Sequence, residues 1–224
     1  MRRIWGLADL HLSFAHPKPM DIFGDHWRNH SEKIAENCRK VIDDHDILLI
    51  PGDISWALKR PEAEQDLAWI AAEMPGIKVL SKGNHDYWWD SDRPLNYPGL
   101  CDTPYISDDA AVGVAAIRGW VEPSILPEAE RPQAEKIVAR EQRRLEKRLQ
   151  AIDSCALRLA MIHYPPIQAF ADLLRDHGVA TVVYGHLHLN RSTVEPPKDW
   201  NGLRILCVAC DRLDFAPALV ATLP

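Results

Sequence analysis

Several classes of protein are set aside by what this sequence lacks. No apolar run approaches the roughly 18–20 residues that a membrane-spanning helix needs, so no membrane partner is expected. Positive charge is not in excess either, since 26 Lys and Arg stand against 32 Asp and Glu, a net charge of −6. A protein that grips duplex DNA by neutralising phosphates is usually basic, so that partner is argued against. Cysteine is sparse and odd in number, scattered over Cys38, Cys101, Cys155, Cys207 and Cys210. The C-x-x-C of Cys207 and Cys210 has no second pair with which to build a zinc site, and it lies in an apolar run. A buried strand with two inert thiols is the reading favoured there. The opening Met1-Arg2-Arg3-Ile4-Trp5-Gly6 lacks the apolar core of a signal peptide, because Asp9 and His11 interrupt it at once. The expected setting is reducing and cytoplasmic. No repeat, low-complexity tract or linker divides the chain, so one domain over residues 1–224 is expected.

What is present is an ordinary globular composition, 46% apolar and 26% charged, with 17 prolines, 8 tryptophans and 10 histidines. Short apolar runs alternate with amphipathic stretches, the pattern of an α/β or layered α+β domain. Strands are predicted over 4–8, 46–50, 77–80, 111–117, 157–162, 180–184, 204–208 and 218–221. A loop rich in Pro, His and Trp covers 12–29. Asn29 with Glu32 suggests a capping box for a helix whose inner face carries Ile34, Cys38, Val41 and Ile42. Pro61 suits the first turn of a second helix, with Leu67, Ile70 and Ala71 inward. The longest helix is predicted over 128–152, with Val138, Leu145, Leu149 and Ile152 on one face. Its many Arg, Lys and Glu read as a solvated face, ahead of a surface for an acidic partner.

The informative feature is where the polar residues fall. Asp9 and His11, Asp53, Asn84 and His85, His163, and His186 and His188 all come just after predicted strands. Side chains at strand ends converge on one rim of a sheet, where open α/β folds place their ligands. Carboxylate, carboxamide and imidazole groups are the mixed O/N donors that suit divalent transition metals such as Mn, Fe or Zn. Alone, Asp9-Leu10-His11 or Gly52-Asp53 would be unremarkable, and a lone His163 would be a strand-end histidine. Gly83-Asn84-His85-Asp86 and Gly185-His186-Leu187-His188 are far rarer by chance, and all arrive in order at strand ends.

In these ordered motifs, from Asp9 to His188, the chain resembles the calcineurin-like metallophosphoesterases, whose signature is D-x-H, G-D, G-N-H-[D/E], H and G-H-x-H. The resemblance implies an α+β fold layered α/β/β/α, two packed mixed β-sheets flanked by helices. It implies two divalent or trivalent metal ions, Mn and/or Fe first and Zn also admitted by the donors. Asp9, His11 and His188 would hold one metal, Asn84, His163 and His186 the other, and Asp53 would bridge them. His85 would stand beside the metals without ligating one. Two such ions about 3.5–4 Å apart activate a bridging hydroxide and clamp phosphoryl oxygens, so the implied activity is hydrolysis of phosphate mono- or diesters. His85 would stabilise developing charge and protonate the leaving group. Asp86 would fix the orientation of His85, with a plain helix cap as its alternative.

The chain departs from the pattern at Trp56, where many relatives carry an acidic residue three positions after the bridging Asp. The segment 21–30 is an unusual insertion. Within it Arg28 is a candidate phosphate contact, and His30 reads as an exposed helix-start residue. Trp56, Tyr87, Trp88 and Trp89 offer a stacking wall for a flat group, or a shield packed around the metals, the second being favoured. Trp56 and Tyr87 thus join Arg28 as candidate substrate contacts. The small size and the lack of an evident cap domain leave the metal edge open, and the acidic charge points to a small-molecule or nucleotide substrate. A nuclease of the same superfamily is the alternative, needing a basic groove that only residues 131–148 could supply. A non-catalytic scaffold would be expected to lack ligands, and none is missing. Nothing in the sequence specifies an oligomeric state.

Overall fold

A computed structural model of the chain describes residues 1–90, 93–189 and 195–223. Its strands are β1 (Arg2–Gly6), β2 (Ile47–Pro51), β3 (Ile77–Ser81), β4 (Leu100–Cys101), β5 (Tyr105–Ile106), β6 (Val112–Ile117), β7 (Leu157–Ile162), β8 (Thr181–Tyr184), β9 (Asp199–Trp200), β10 (Leu203–Cys207) and β11 (Ala218–Leu223). Its helices are α1 (His30–Val41), α2 (Arg60–Glu73), α3 (Arg131–Ile152) and α4 (Gln168–Asp176). One sheet has the order β11-β1-β2-β3-β4 and the other β5-β6-β7-β8-β10-β9. In each, a run of four parallel strands has an antiparallel partner: β11 on β1 in the first sheet, β5 on β6 and β9 on β10 in the second. Both are mixed sheets, as the resemblance implies.

The layering follows from strand periodicity. Successive side chains of a strand point to opposite faces, so a strand covered on both sides reads as a continuous apolar run. In β2, Leu48 and Ile50 pack outward with Ile34 and Cys38 of α1 and Leu67 and Ile70 of α2. Ile47 and Leu49 face inward, against Val114, Ala116, Leu159 and Met161 of the second sheet. The outer face of that sheet carries Ala115, Ile117, Ala160 and Ile162 beneath Val138, Leu145 and Leu149 of α3 and Phe170 and Leu174 of α4. These three apolar seams make the α/β/β/α stack.

Some local expectations change. Asn29 precedes α1 in a left-handed conformation (φ 55°) with no side-chain cap bond. A capping side chain needs extended backbone at that position, so the expected box does not form. A comparable reach-back serves α2, where the Glu62 carboxylate accepts from the N–H groups of Leu58 and Lys59 at 3.0 and 3.2 Å. The expected loop over 12–29 contains two single 3-10 turns, Met20–Phe23 and Asp25–Trp27. His30 opens α1 but is half-buried against Trp27 and Phe215, not exposed. All five thiols are unbridged, and buried Cys210 sits past the end of β10 with its Sγ 3.0 Å from the Asp9 carbonyl.

Candidate metal centre

The parallel strands of both sheets end on one rim, and the backbone beyond them is unusual. Asp9 (φ 60°), His11 (φ 47°), Asp53 (φ 52°) and His186 (φ 68°) are non-glycine residues in the left-handed region. Such residues are uncommon, and a cluster of them marks a place where the surroundings over-determine the backbone. Here the surroundings are each other. The chain after β1 runs beside the loop after β2, with the Asp9 and His11 N–H groups donating to the Gly52 and Asp53 carbonyls, both at 3.0 Å. The motif glycines permit this crowding. A Cβ on Gly83 would lie 2.2 Å from Asp53 Oδ1, and one on Gly185 would lie 2.5 Å from Asp9 Oδ2.

Two groups of donor atoms result. Asp9, His11 and His188 form the first, with His11 Nε2 and His188 Nε2 3.3 Å apart. Asp53, His163 and His186 form the second. Asn84 joins that group, its Oδ1 being 2.7 Å from His163 Nε2 and 2.8 Å from His186 Nδ1. Asp53 lies between the groups, with Oδ1 3.4 Å from His163 Nε2 and Oδ2 3.8 Å from His11 Nε2. The second group shows which lone pairs face inward. His163 Nδ1–H donates to the Pro51 carbonyl at 2.9 Å, which leaves its Nε2 as an acceptor turned on the Asn84 oxygen. Lone pairs aimed at one another in a buried site are satisfied by a cation between them.

The electrostatics agree. Burial, with Asp53 beside it, holds the Asp9 carboxyl well above the usual carboxylate range. Burial also works to raise Asp53, but His163, His11 and the His85 N–H outweigh it and hold that carboxyl low. Burial pushes the imidazoles of His11 and His163 down, keeping them in the neutral form that offers a lone pair. His11 Nδ1 is buried without a hydrogen-bond partner among the described residues. Crowded acids and neutral imidazoles are mutually costly in an empty pocket and favourable around positive charge, so the residues fit a pair of metal ions.

A family model described as calcineurin-like phosphoesterase matches residues 2–190. The chain belongs to the calcineurin-like phosphoesterases. No curated protein matches it. A solved structure of a protein of unknown function from Aquifex aeolicus is similar at 16% identity and a TM-score of 0.49, covering 98% of this chain and 96% of that one.

Around the donors this phosphoesterase places some residues other than as the sequence suggests. His85 lines a cavity of about 250 Å³ together with His11, His188, Trp56, Trp27 and Met20. Its ring is 4.4 Å from Trp56, and its N–H donates to Asp53 Oδ1 at 2.8 Å. Asp86 is fully buried, and its oxygens accept from the N–H groups of Gly83 (2.7 Å), Ile54 (2.9 Å) and Ser55 (3.0 Å) and from Trp88 Nε1 (3.2 Å). It therefore braces the two motif loops, and no helix begins there for it to cap. Burial and Asp53 push its pKa up to about 7. Trp56 stacks on His11 at 4.8 Å, and Trp27 meets His11 and His188 edge-on, so both shield the first group of donors. Trp88 and Trp89 are buried and stacked on each other. Tyr87 is exposed and lies outside the cavity wall, and so does Arg28, which pairs with Asp25 at 2.9 Å.

The residue that sequence reasoning missed is Asp211. It is buried, its Oδ1 lies 3.1 Å from His188 Nδ1, and its Oδ2 accepts from the Leu189 N–H at 3.0 Å. It stands at the His188 nitrogen opposite the one that faces His11, at ion-pair distance but outside hydrogen-bond geometry. Its signal was available, since Asp211 follows the last buried parallel strand as the other donors follow theirs.

Proposed function

We propose that the chain is a dimetal phosphohydrolase that cleaves phosphate mono- or diesters of a small molecule or nucleotide. The observation that carries this reading is the pair of donor groups joined by Asp53. Asp9, His11 and His188 would hold one ion, and Asn84, His163 and His186 the other, with Asp53 serving both. When bound, two such ions supply Lewis acidity toward the phosphoryl oxygens and an activated water as nucleophile. The remaining work falls to the chain. Pro51 sets the rotation of His163, which fixes the nitrogen it offers, and the Asp211 carboxylate stands beside His188 Nδ1, where it would favour a proton on that nitrogen. Trp27 and Trp56 keep bulk water from His11 and His188. His85 lines the cavity wall, and from there it would stabilise charge on the ester and give a proton to the departing oxygen. The cavity wall of Met20, Phe23, Trp27 and Trp56 is suited to an apolar part of the leaving group.

The test is hydrolysis of an aryl phosphate monoester and its diester by protein supplied with Mn or Fe. Turnover of at least one ester is expected, and His85→Ala should lower kcat by about 10²–10⁴-fold while the metal content stays. If neither ester is cleaved and Asp53→Ala leaves the metal content unchanged, the reading is wrong. Metal-dependent, salt-sensitive cleavage of oligonucleotides in place of the esters would select the nuclease reading.

A further inference from the structure

Beside the metal centre lies a feature of opposite charge. A cavity of about 170 Å³ opens between the C-terminal ends of β3 and β6 and the middle of α3. Lys82, Arg93, Arg118, Arg140, Arg144 and Arg148 line it, against Asp102 and Glu141, six positive side chains to two negative. Lys82, Arg118, Arg144 and Arg148 are half-buried. In a chain of net charge −6 this concentration does not follow from composition. It follows from placement, because Arg140, Arg144 and Arg148 recur every fourth residue along one face of α3, while Lys82 and Arg118 follow β3 and β6 directly.

The lining is built rather than loose. Glu141 is buried and accepts from the Gly119 N–H at 3.2 Å and from Arg144 Nη1 at 3.0 Å. The Trp89 carbonyl positions Lys82 and the Ala116 carbonyl holds Arg148, while Arg140 lies 3.8 Å from Glu141 and Arg93 3.4 Å from Asp90. Arg118 lies over the Trp120 ring at 5.1 Å and makes no ion pair among the described residues. Half-buried like charges repel one another, and an anion among them relieves that repulsion. Guanidinium forks match phosphate oxygens in geometry as well as charge.

The cavity also adjoins the donor groups. Lys82 is followed by Gly83 and Asn84, and the Ile117 and Arg118 carbonyls accept from the His163 and Tyr164 N–H groups at 3.3 and 3.0 Å. The Tyr164 ring lies 4.3 Å from that of His186.

We propose that this cavity is an anion subsite that binds a second phosphate group of the substrate, so that the preferred substrate is a small molecule carrying a phosphate beyond the one attacked. The substrate assignment rests on the phosphohydrolase reading, whereas the subsite itself does not. A cavity of this volume, walled by α3, suits a phosphate or two and not the continuous basic track that a polynucleotide follows.

The first experiment is titration of chelator-stripped protein with inorganic pyrophosphate by calorimetry, because the acidic donor groups repel an anion when no metal is bound. Wild type is expected to bind, with Arg118→Gln and Arg144→Gln each weakening binding about tenfold or more and Arg118→Lys recovering part of the loss. Arg39→Gln, on α1 and away from the cavity, controls for net charge and is expected to bind as wild type does. No binding by wild type, or equal loss in Arg39→Gln, overturns the subsite. The second experiment compares kcat/KM for a nucleoside 3′,5′-bisphosphate with that for an aryl monophosphate in metal-loaded enzyme. The preference for the bisphosphate is expected to fall in Arg118→Gln through KM. A preference for a short oligonucleotide that depends on Arg118 overturns the small-molecule assignment. Pyrophosphate binding without ester hydrolysis overturns the phosphohydrolase reading and the substrate assignment with it, and hydrolysis without pyrophosphate binding overturns the subsite alone.

Discussion

The two ends of the β1–β2 pair carry buried carboxylates under opposite regimes. At the start of the strands, Asp46 Oδ1 accepts from the Arg3 N–H at 2.8 Å, and Oδ2 accepts from Trp5 Nε1 and the Asp43 N–H, both at 3.0 Å. The Arg3 guanidinium adds an ion pair at 3.0 Å. Burial tends to raise the Asp46 pKa, but these donors outweigh it and hold the carboxyl below its usual range. At the other end, Asp9 has the His186 N–H for its oxygens, at 3.0 and 2.9 Å, with Asp53, Asp211 and Asp86 as charged neighbours. The protein supplies Asp46 with its own cation, and among the described residues no Lys or Arg pairs with Asp9. The lesson is that a buried acid completed by the fold is structural, and one left incomplete beside neutral imidazoles is kept for an external cation.

The contrast breaks most visibly at Asp9. Asp9→Asn is expected to cut metal content and hydrolysis by on the order of 10³-fold, beyond the range usual for outer positions. In metal-free protein the same change should leave the thermal midpoint equal or higher, since it removes charge from a repulsive cluster. A lower midpoint in metal-free Asp9→Asn would show that Asp9, like Asp46, is structural. Next comes Asp211, which would act on a bound metal through His188. Asp211→Asn is expected to weaken metal binding by about 10–100-fold, measured by calorimetry, and an unchanged affinity would remove it from the site. The smallest effect on activity belongs to Asp46→Asn, for which metal content and kcat should stay at wild-type values. Its cost is stability, about 1.5–3 kcal/mol for bonds to a charged acceptor, read from urea unfolding near neutral pH. Because the folded pKa of Asp46 lies below the unfolded one, its contribution is complete above about pH 4 and is lost as pH falls through the folded value. The stability gap between wild type and Asp46→Asn should therefore close in acid, and a constant gap would assign the loss to something other than the carboxylate.

Legibility in the sequence follows the same divide between local and distant causes. The eight longer strands, the inward stripe of α3 and the placement of Asp9, Asp53, Asn84, His163 and His186 at strand ends were readable, because apolar periodicity and motif order are local, whereas the two-residue strands β4, β5 and β9 are too short to carry a period. The bracing by Asp86 was not legible because its partners, Gly83 and the Ile54–Ser55 backbone, are brought to it by two separate loops. The charged face of α3 read as solvated, yet Arg144 and Arg148 line a cavity, because helical spacing says which residues share a face and not what that face meets. The role of Trp27 as a shield depended on two 3-10 turns with no pattern of their own.

The sequence by itself determined the layered α+β architecture, the family, and the order of the carboxylate, carboxamide and imidazole donors along the chain. The alternation of strands and helices comes from short-range periodicity and the donor order from residue chemistry, while the layering and the family come from the resemblance that the ordered motifs carry. Only the tertiary structure decided that Asp53 lies between two groups drawn from both sheets, that Pro51 orients His163 and Asp211 stands against His188, and that six cations line a cavity beside them. Each of these depends on a distance between residues far apart in the chain, and such distances exist only after the two sheets have packed.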